Sequence, residues 1–229
     1  RQVGRRVVGG VAVGDAAGQL VNPYIVSQWK IALSASCDVM ITIYIQKKML
    51  EKSIARQHAG SAGQPAGQSA PAAPKHELSA SAFTPQAGRL MPDKIADGAA
   101  GTTPEQKQQL AAVFRQTLDA YEAQVPKNNV AFAVGFLVAA SLQVLSGKEV
   151  ADSEFEQLVR DLNDILAEAP RFQQMDVKGK QTLYEVSVIT GGIIAGLNNT
   201  GVEEKDPATQ QQAKDLAKSI LETFGVKTN

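Results

Sequence analysis

The 229-residue chain carries 23 Lys/Arg against 23 Asp/Glu, so no net field draws it to nucleic acid or to an anionic membrane. Apolar residues make up 44% and aromatics only 5%, enough to bury a core and a mix that favours close-packed helices over a sheet. The length holds one domain of ordinary size plus an appendage, and the single cysteine, Cys37, excludes an intrachain disulfide and a cysteine-based zinc site.

The charge is unevenly spread. Residues 1–58 hold 8 Lys/Arg against 3 Asp/Glu, whereas residues 103–229 hold 12 against 17. A basic arm and an acidic domain on one chain can attract each other within a molecule or between copies, although each exposed pair contributes less than about 1 kcal/mol.

Residues 1–21 read as a flexible or partner-docked arm. Their start, RQVGRRVVGGVAV, is basic and then briefly apolar, too short and too Gly-rich for a signal peptide. A long helix is predicted over 22–55, within a segment 22–58. Asn22 is its candidate N-cap and Pro23 its first position. Ile25, Trp29, Leu33, Cys37, Met40, Ile41, Tyr44 and Ile45 recur at three- and four-residue steps, and Lys47, Lys48, Lys52 and Arg56 gather where the helix dipole favours cations. So wide an apolar stripe must dock on its own domain, a sister subunit or another protein. Residues 59–75, with six Ala, three Gly and three Pro, cannot make a core and read as the start of a linker spanning 59–102. Its second part, 76–102, is expected to run over the following domain, pinned at Leu78, Phe83, Leu90, Met91 and Ile95.

Residues 103–229 predict a compact bundle of about five helices. Thr103-Pro104-Glu105-Gln106 is a capping box, followed by the stripe Leu110, Val113, Phe114, Thr117, Leu118 and Tyr121, with Pro126 as the stop. Asn128 or Asn129 caps the next helix and Gly147 closes it. That stretch has no charge and is apolar on every face, so it must be surrounded. Asp152 is the expected cap of a third helix striped by Phe155, Leu158, Val159, Leu162, Ile165 and Leu166. Pro170 breaks it, and Phe172 and Met175 fold inward on a short turn. Asp176 starts a fourth helix, largely apolar through Leu183, Val186, Val188, Ile189, Ile193, Ile194 and Leu197. Asp206-Pro207 opens a fifth, striped by Ala213, Leu216, Ala217, Ile220, Leu221 and Phe224 and closed by Gly225.

Ala131, Gly135 and Ala139 are spaced by four, as are Gly192 and Gly196, which predicts close approach of the two apolar helices. In lipid that spacing marks transmembrane pairs. The uncharged run 186–202 is short for a bilayer and contains Asn198 and Asn199, so a soluble core is the expectation and membrane insertion is not.

Little chemistry is legible. There is no strand-preceded phosphate loop, HExxH or GxSxG. His58 and His76 lack a second ligand at helical spacing, so they are read as solvated. Cys37 sits in an apolar stripe, which fits a buried thiol better than a nucleophile. Glu154, Asp161, Asp164 and Glu168 fall opposite the third helix's stripe and read as a solvated face. Asn198-Asn199-Thr200 matches a glycosylation sequon, a pattern that also arises often by chance. Arg1, Arg5 and Arg6 have no interleaved aromatics for base stacking, so nothing beyond charge points to nucleic acid. No cofactor, metal or small-molecule ligand is indicated.

Certain stretches resemble a known family. Asn22-Pro23-Tyr24, Ser27-Gln28-Trp29, Met49-Leu50-Glu51-Lys52-Ser53 and the Pro/Ala/Gly linker are similar to a bacterial family known only as a domain of unknown function. So are Leu110-Ala111-Ala112-Val113-Phe114, Thr117-Leu118-Asp119-Ala120-Tyr121-Glu122, Pro126-Lys127-Asn128-Asn129-Val130-Ala131 and Lys180-Gln181-Thr182-Leu183-Tyr184-Glu185. The resemblance covers roughly residues 22–55 and 83–224 and leaves residues 1–14 unmatched. It implies an exported, extracytoplasmic bacterial protein whose signal peptide precedes Arg1. It implies no activity and transfers no functional residue.

The sequence therefore predicts an all-α, non-enzymatic structural or interaction protein, a homo-oligomer joined as filament or ring. The candidate self-association residues are Arg5, Arg6, Tyr24, Ile25, Trp29, Leu33, Met40, Ile41 and Tyr44. A monomeric ligand-binding or inhibitor module, with a cleft between the bundle and segment 76–102, is the alternative. An enzyme built on scattered carboxylates or on Tyr121 and Tyr184 is a third reading, with no base-and-orienter spacing to support it.

Overall fold

The computed structural model describes residues 75–99 and 101–226. The helix expected over 22–55, the arm before it and the linker as far as residue 74 lie outside the described residues.

Among the described residues the architecture is all-α, with one isolated antiparallel bridge between Ala82 and Asn129. A 3-10 turn, Leu78–Ser81, precedes α1 (Pro92–Asp97), α2 (Pro104–Glu122), α3 (Val130–Ser146), α4 (Asp152–Glu168), α5 (Pro170–Gln174), α6 (Val177–Glu203) and α7 (Pro207–Thr223). The five helices expected of the bundle are α2, α3, α4, α6 and α7. The short α1 and α5 are additions.

Their ends follow local chemistry. At α2, the Gln106 main-chain N–H donates to Thr103 Oγ1 at 3.2 Å while the Thr103 N–H donates to Gln106 Oε1 at 2.8 Å, the reciprocal pair expected of a capping box. Of the two candidate asparagines it is Asn129 that caps α3, accepting from Phe132 N–H at 3.2 Å. Asn128 instead takes a left-handed turn at φ 57°. Gly147 closes α3 at φ 66°, where an L side chain would be strained. Asp152 does not cap α4. The N-cap is Ala151, which has no side-chain acceptor; its N–H donates to Glu154 Oε2 at 3.1 Å, the half of a capping box that an alanine allows. Pro170 both stops α4 and opens α5, which carries Phe172 into the core. Asp176 caps α6 through Gly179 N–H at 2.7 Å, and Asp206 caps α7 through Ala208 N–H at 2.9 Å.

α3 is the centre. It packs on α4, α6 and α7, and its contact with α6 is the most extensive in the fold. Burial reaches 12 of its residues, among them Phe136 and Leu137, which an apolar surface on every side requires. Ile193 on α6 is buried with them. The small residues divide their work. A Cβ on Gly191 would lie 2.7 Å from the Phe136 ring and 3.3 Å from Leu137 Cα, so α6 approaches α3 closely there. Gly135, expected to face the same neighbour, faces α4: its Cβ would sit 3.0 Å from Val159 Cγ2. Among the described residues, no helix is long and apolar enough to cross a membrane. The sequon lies inside α6 with Thr200 buried, not on the surface loop such modification uses.

Residues 75–91 form a strap across the bundle. Met91 and Ile95 are buried anchors, as expected, and Phe83 and Leu90 are partly buried against the core. Leu78, also expected to be an anchor, is 38% exposed. Asp164, expected on a solvated face, is buried. The strap covers it, for a reason only the tertiary structure supplies.

Candidate functional site

Two clusters of polar side chains lie where the strap meets the bundle. The first lies on α4 and the start of α3. Asp164 accepts the main-chain N–H groups of Lys75 at 3.2 Å and His76 at 3.0 Å, one on each carboxylate oxygen. Asn163 Nδ2 donates to the carbonyl of Glu77 at 3.0 Å, and Asn129 Nδ2 donates to that of Leu78 at 2.7 Å. The Phe83 N–H then donates to the carbonyl of Asn128 at 2.9 Å. Ser81, Asn129 and Asn163 are all buried, so each of these bonds satisfies a group whose loss of water would otherwise be costly. On the outside, Lys75 Nζ pairs with Glu168 at 3.1 Å, and the partly exposed His76 ring comes within 4.0 Å of the same carboxylate.

The second cluster borders a cleft of about 270 Å³ between residues 85–89 and the ends of α2 and α6. Arg89 grips Glu122 with two nitrogens, at 2.6 and 2.9 Å, and reaches Asp119 at 2.9 Å. That hydrogen bonding to Glu122 holds the guanidinium even more firmly protonated than usual, against the opposing effect of its partial burial. Tyr184 donates its hydroxyl to Glu122 at 3.1 Å; burial first, and then the Glu122 charge, push its ionisation well above the ordinary tyrosine range. Deeper, Gln181 donates to the Gly88 carbonyl at 2.9 Å and to Glu185 at 2.8 Å, and accepts from Gln86 N–H at 2.8 Å. Glu185 Oε2 accepts the Leu90 and Met91 N–H groups, each at 2.8 Å, and so places a carboxylate at the opening turn of α1. The Phe83 ring meets Tyr184 edge-on at 5.5 Å, tying the two clusters together.

What this arrangement does is hold a chain in place. Arg89, Glu122, Gln181, Tyr184 and Glu185 at the cleft are bonded to the strap or to one another, and Arg89 and Tyr184 keep their protons far above neutral pH. Behind them the Tyr121 hydroxyl is fully buried and, among the described residues, has no hydrogen-bond partner; desolvation raises its ionisation strongly. Among the described residues, no three His, Cys, Asp or Glu side chains converge as a metal site.

Tyr121 and Tyr184, named from sequence only as scattered hydroxyls, come together with ring centroids 6.1 Å apart. Arg5, Arg6, Tyr24, Ile25, Trp29, Leu33, Met40, Ile41 and Tyr44 all lie outside the described residues. Sequence reasoning singled out none of Arg89, Asn163, Gln181 and Glu185 as site residues. One signal was present for the last two. Gln181 and Glu185 are polar residues one helical turn apart at the start of a largely apolar helix, and both are buried.

No curated protein and no solved structure matches the chain. A family model does match, over residues 11–229, so the similarity takes in the linker and the latter part of the arm as well as the bundle. On that extent the chain belongs to the family of unknown function DUF6683.

Proposed function

We propose that this is a non-enzymatic structural or interaction protein, exported from a bacterial cell, that self-associates through its N-terminal arm and helix into a filament or ring. One observation carries the reading. The segment with the wide apolar stripe, Tyr24 to Tyr44, lies in a region with 8 Lys/Arg against 3 Asp/Glu, on a chain whose helical domain holds 12 against 17. Apolar area supplies the attraction and opposite charge the orientation. The strap clusters support it indirectly, because their hydrogen bonds are committed to holding residues 75–91 and are not directed at a substrate. Head-to-tail docking that fails to close gives a filament, and docking that closes gives a ring.

The test is solution mass by light scattering, at several concentrations, on the full chain, on Trp29→Asp/Ile41→Asp, and on a chain lacking residues 1–58. The full chain should exceed the mass of one copy, and the other two should run as folded monomers. A full chain that stays monomeric at every concentration would sink the proposal, and a truncated chain that keeps the parent's mass would remove the arm as connector.

The cleft beside Arg89 favours a second reading, a monomeric ligand-binding or inhibitor module outside the cytoplasm. A concave site with convergent polar groups is where such a ligand would sit. It would have to displace bonds already made between Arg89 and Glu122. Monomeric mass together with a solute that shifts the thermal midpoint of the full chain, but not of Arg89→Ala, would favour this reading over the first.

A further inference from the structure

The groove on α4 and the start of α3 binds the strap largely by its main chain, with the Ser81 hydroxyl and the Lys75 ammonium adding side-chain bonds. Between Lys75 and Phe83, the N–H groups of 75, 76, 81 and 83 and the carbonyls of 77 and 78 are all bound by Asn128, Asn129, Asn163 and Asp164. The side chains at 77–80 are exposed. Such a surface accepts a segment that follows the same backbone course, through the 3-10 turn at 78–81, and offers a small hydroxyl residue at position 81. The segment known to fit it is residues 75–83, and every copy of the chain carries one.

We propose that this groove is an exchange interface between copies: residues 75–83 of one chain occupy the groove of the next. The proposal deepens the self-association reading and rests on it. An exchanged strap makes the same bonds as a retained one, so the balance is set by the connection and by the concentration of the second strap. The connection can reroute. Residues 84–88 are exposed and non-helical, and Gly88 sits at φ +81° with nothing within 4 Å of where a Cβ would stand. Opening this turn gives up two bonds, from the Gln86 N–H to Gln181 and from Gln181 to the Gly88 carbonyl, and leaves the Asn163 and Asp164 bonds intact. On the other side, the Ala/Gly/Pro-rich run 59–74 links the strap to the segment that brings copies together. Once those segments associate, a neighbour's strap is present at high effective concentration.

The Lys75–Glu168 ion pair, 3.1 Å between Nζ and Oε1, makes the exchange readable without altering the protein, because a carbodiimide joins such a pair with no spacer. Unlabelled and ¹⁵N-labelled full-length chains are mixed in equal amounts while unfolded, refolded together, cross-linked and digested. Exchange predicts that about half of the Lys75–Glu168 linked peptide pairs combine one light and one heavy partner. Only light–light and heavy–heavy pairs would overturn it. Light scattering on the same sample separates the two readings. An oligomer with unmixed pairs ends the exchange and leaves self-association standing, whereas a monomer ends both. A Lys75→Cys/Glu168→Cys chain in the Cys37→Ser background, joined by a short bismaleimide, repeats the reading. Absence of both links would show the strap outside the groove and also overturn the proposal.

Discussion

Asn163 Oδ1 accepts two hydrogen bonds from one residue of the strap, the Ser81 main-chain N–H at 3.2 Å and the Ser81 hydroxyl at 2.7 Å. The same hydroxyl lies 2.9 Å from Asn129 Oδ1, so a single proton is shared between α3 and α4 beneath the strap. All three residues are buried, and water cannot replace a missing partner. Asn163→Ala leaves the Ser81 N–H and the Glu77 carbonyl without that partner. It should cost about 1–3 kcal/mol, the penalty of stranding buried polar groups. Urea unfolding would measure this. Faster tryptic cleavage after Lys75, with the helical circular dichroism unchanged, would show that the strap has come loose while the bundle stays folded.

Glu185 gives a second, separable test. Its Oε2 holds two successive N–H groups at the start of α1, and its Oε1 takes a bond from Gln181. Glu185→Ala should destabilise by about 3 kcal/mol, since hydrogen bonds to a charged acceptor contribute more than neutral ones. Glu185→Gln keeps one oxygen for the Leu90 and Met91 N–H groups and should cost clearly less. Equal losses in the two variants would mean that the carboxylate's charge, and not its shape as an acceptor, holds α1.

At the centre, Gly191→Ala is expected to destabilise by about 1–3 kcal/mol through overpacking, because the added carbon meets both the Phe136 ring and the α3 backbone at Leu137. Phe136→Leu in the same chain should recover part of that loss by removing the nearer contact. Thermal unfolding of the single and double variants forms the cycle. A double variant worse than the sum of its parts would show that the backbone contact, not the ring, is what limits the approach.

The two buried phenols predict alkaline behaviour. Burial, followed by nearby charge, raises the ionisation of Tyr121 and Tyr184 above the ordinary value of 10.0. The folded state thus favours the neutral phenol. That stabilisation is fully present below about pH 10 and is lost as pH rises beyond it, where the unfolded chain ionises first. Urea midpoints measured from about pH 8 to 12 should fall above 10 in the parent, and more shallowly in Tyr184→Phe. At neutral pH, Tyr184→Phe should cost about 1 kcal/mol for the bond to Glu122. A parent midpoint flat through pH 11 would refute the assignment.

Sequence alone determined the elements of the bundle, because the signals for them are local. Thr103 with Gln106, Asp176, Asp206, Gly147 and Gly225 each act on backbone groups within a few residues, and the uncharged run 128–147 has no stable place except surrounded. The exception at α4 was local too: the helix begins one residue earlier than expected, capped at Ala151, whose N–H is taken by Glu154 in the first turn. Tertiary structure alone decided what the strap does. Asn163 and Asp164 meet Lys75, His76 and Ser81 across more than eighty residues of sequence, and Gln181 and Glu185 meet residues 86–91 across more than ninety. No periodicity encodes that pairing. Polar side chains on a helix look solvated until another segment covers them, and which segment does so is fixed by packing over the whole domain.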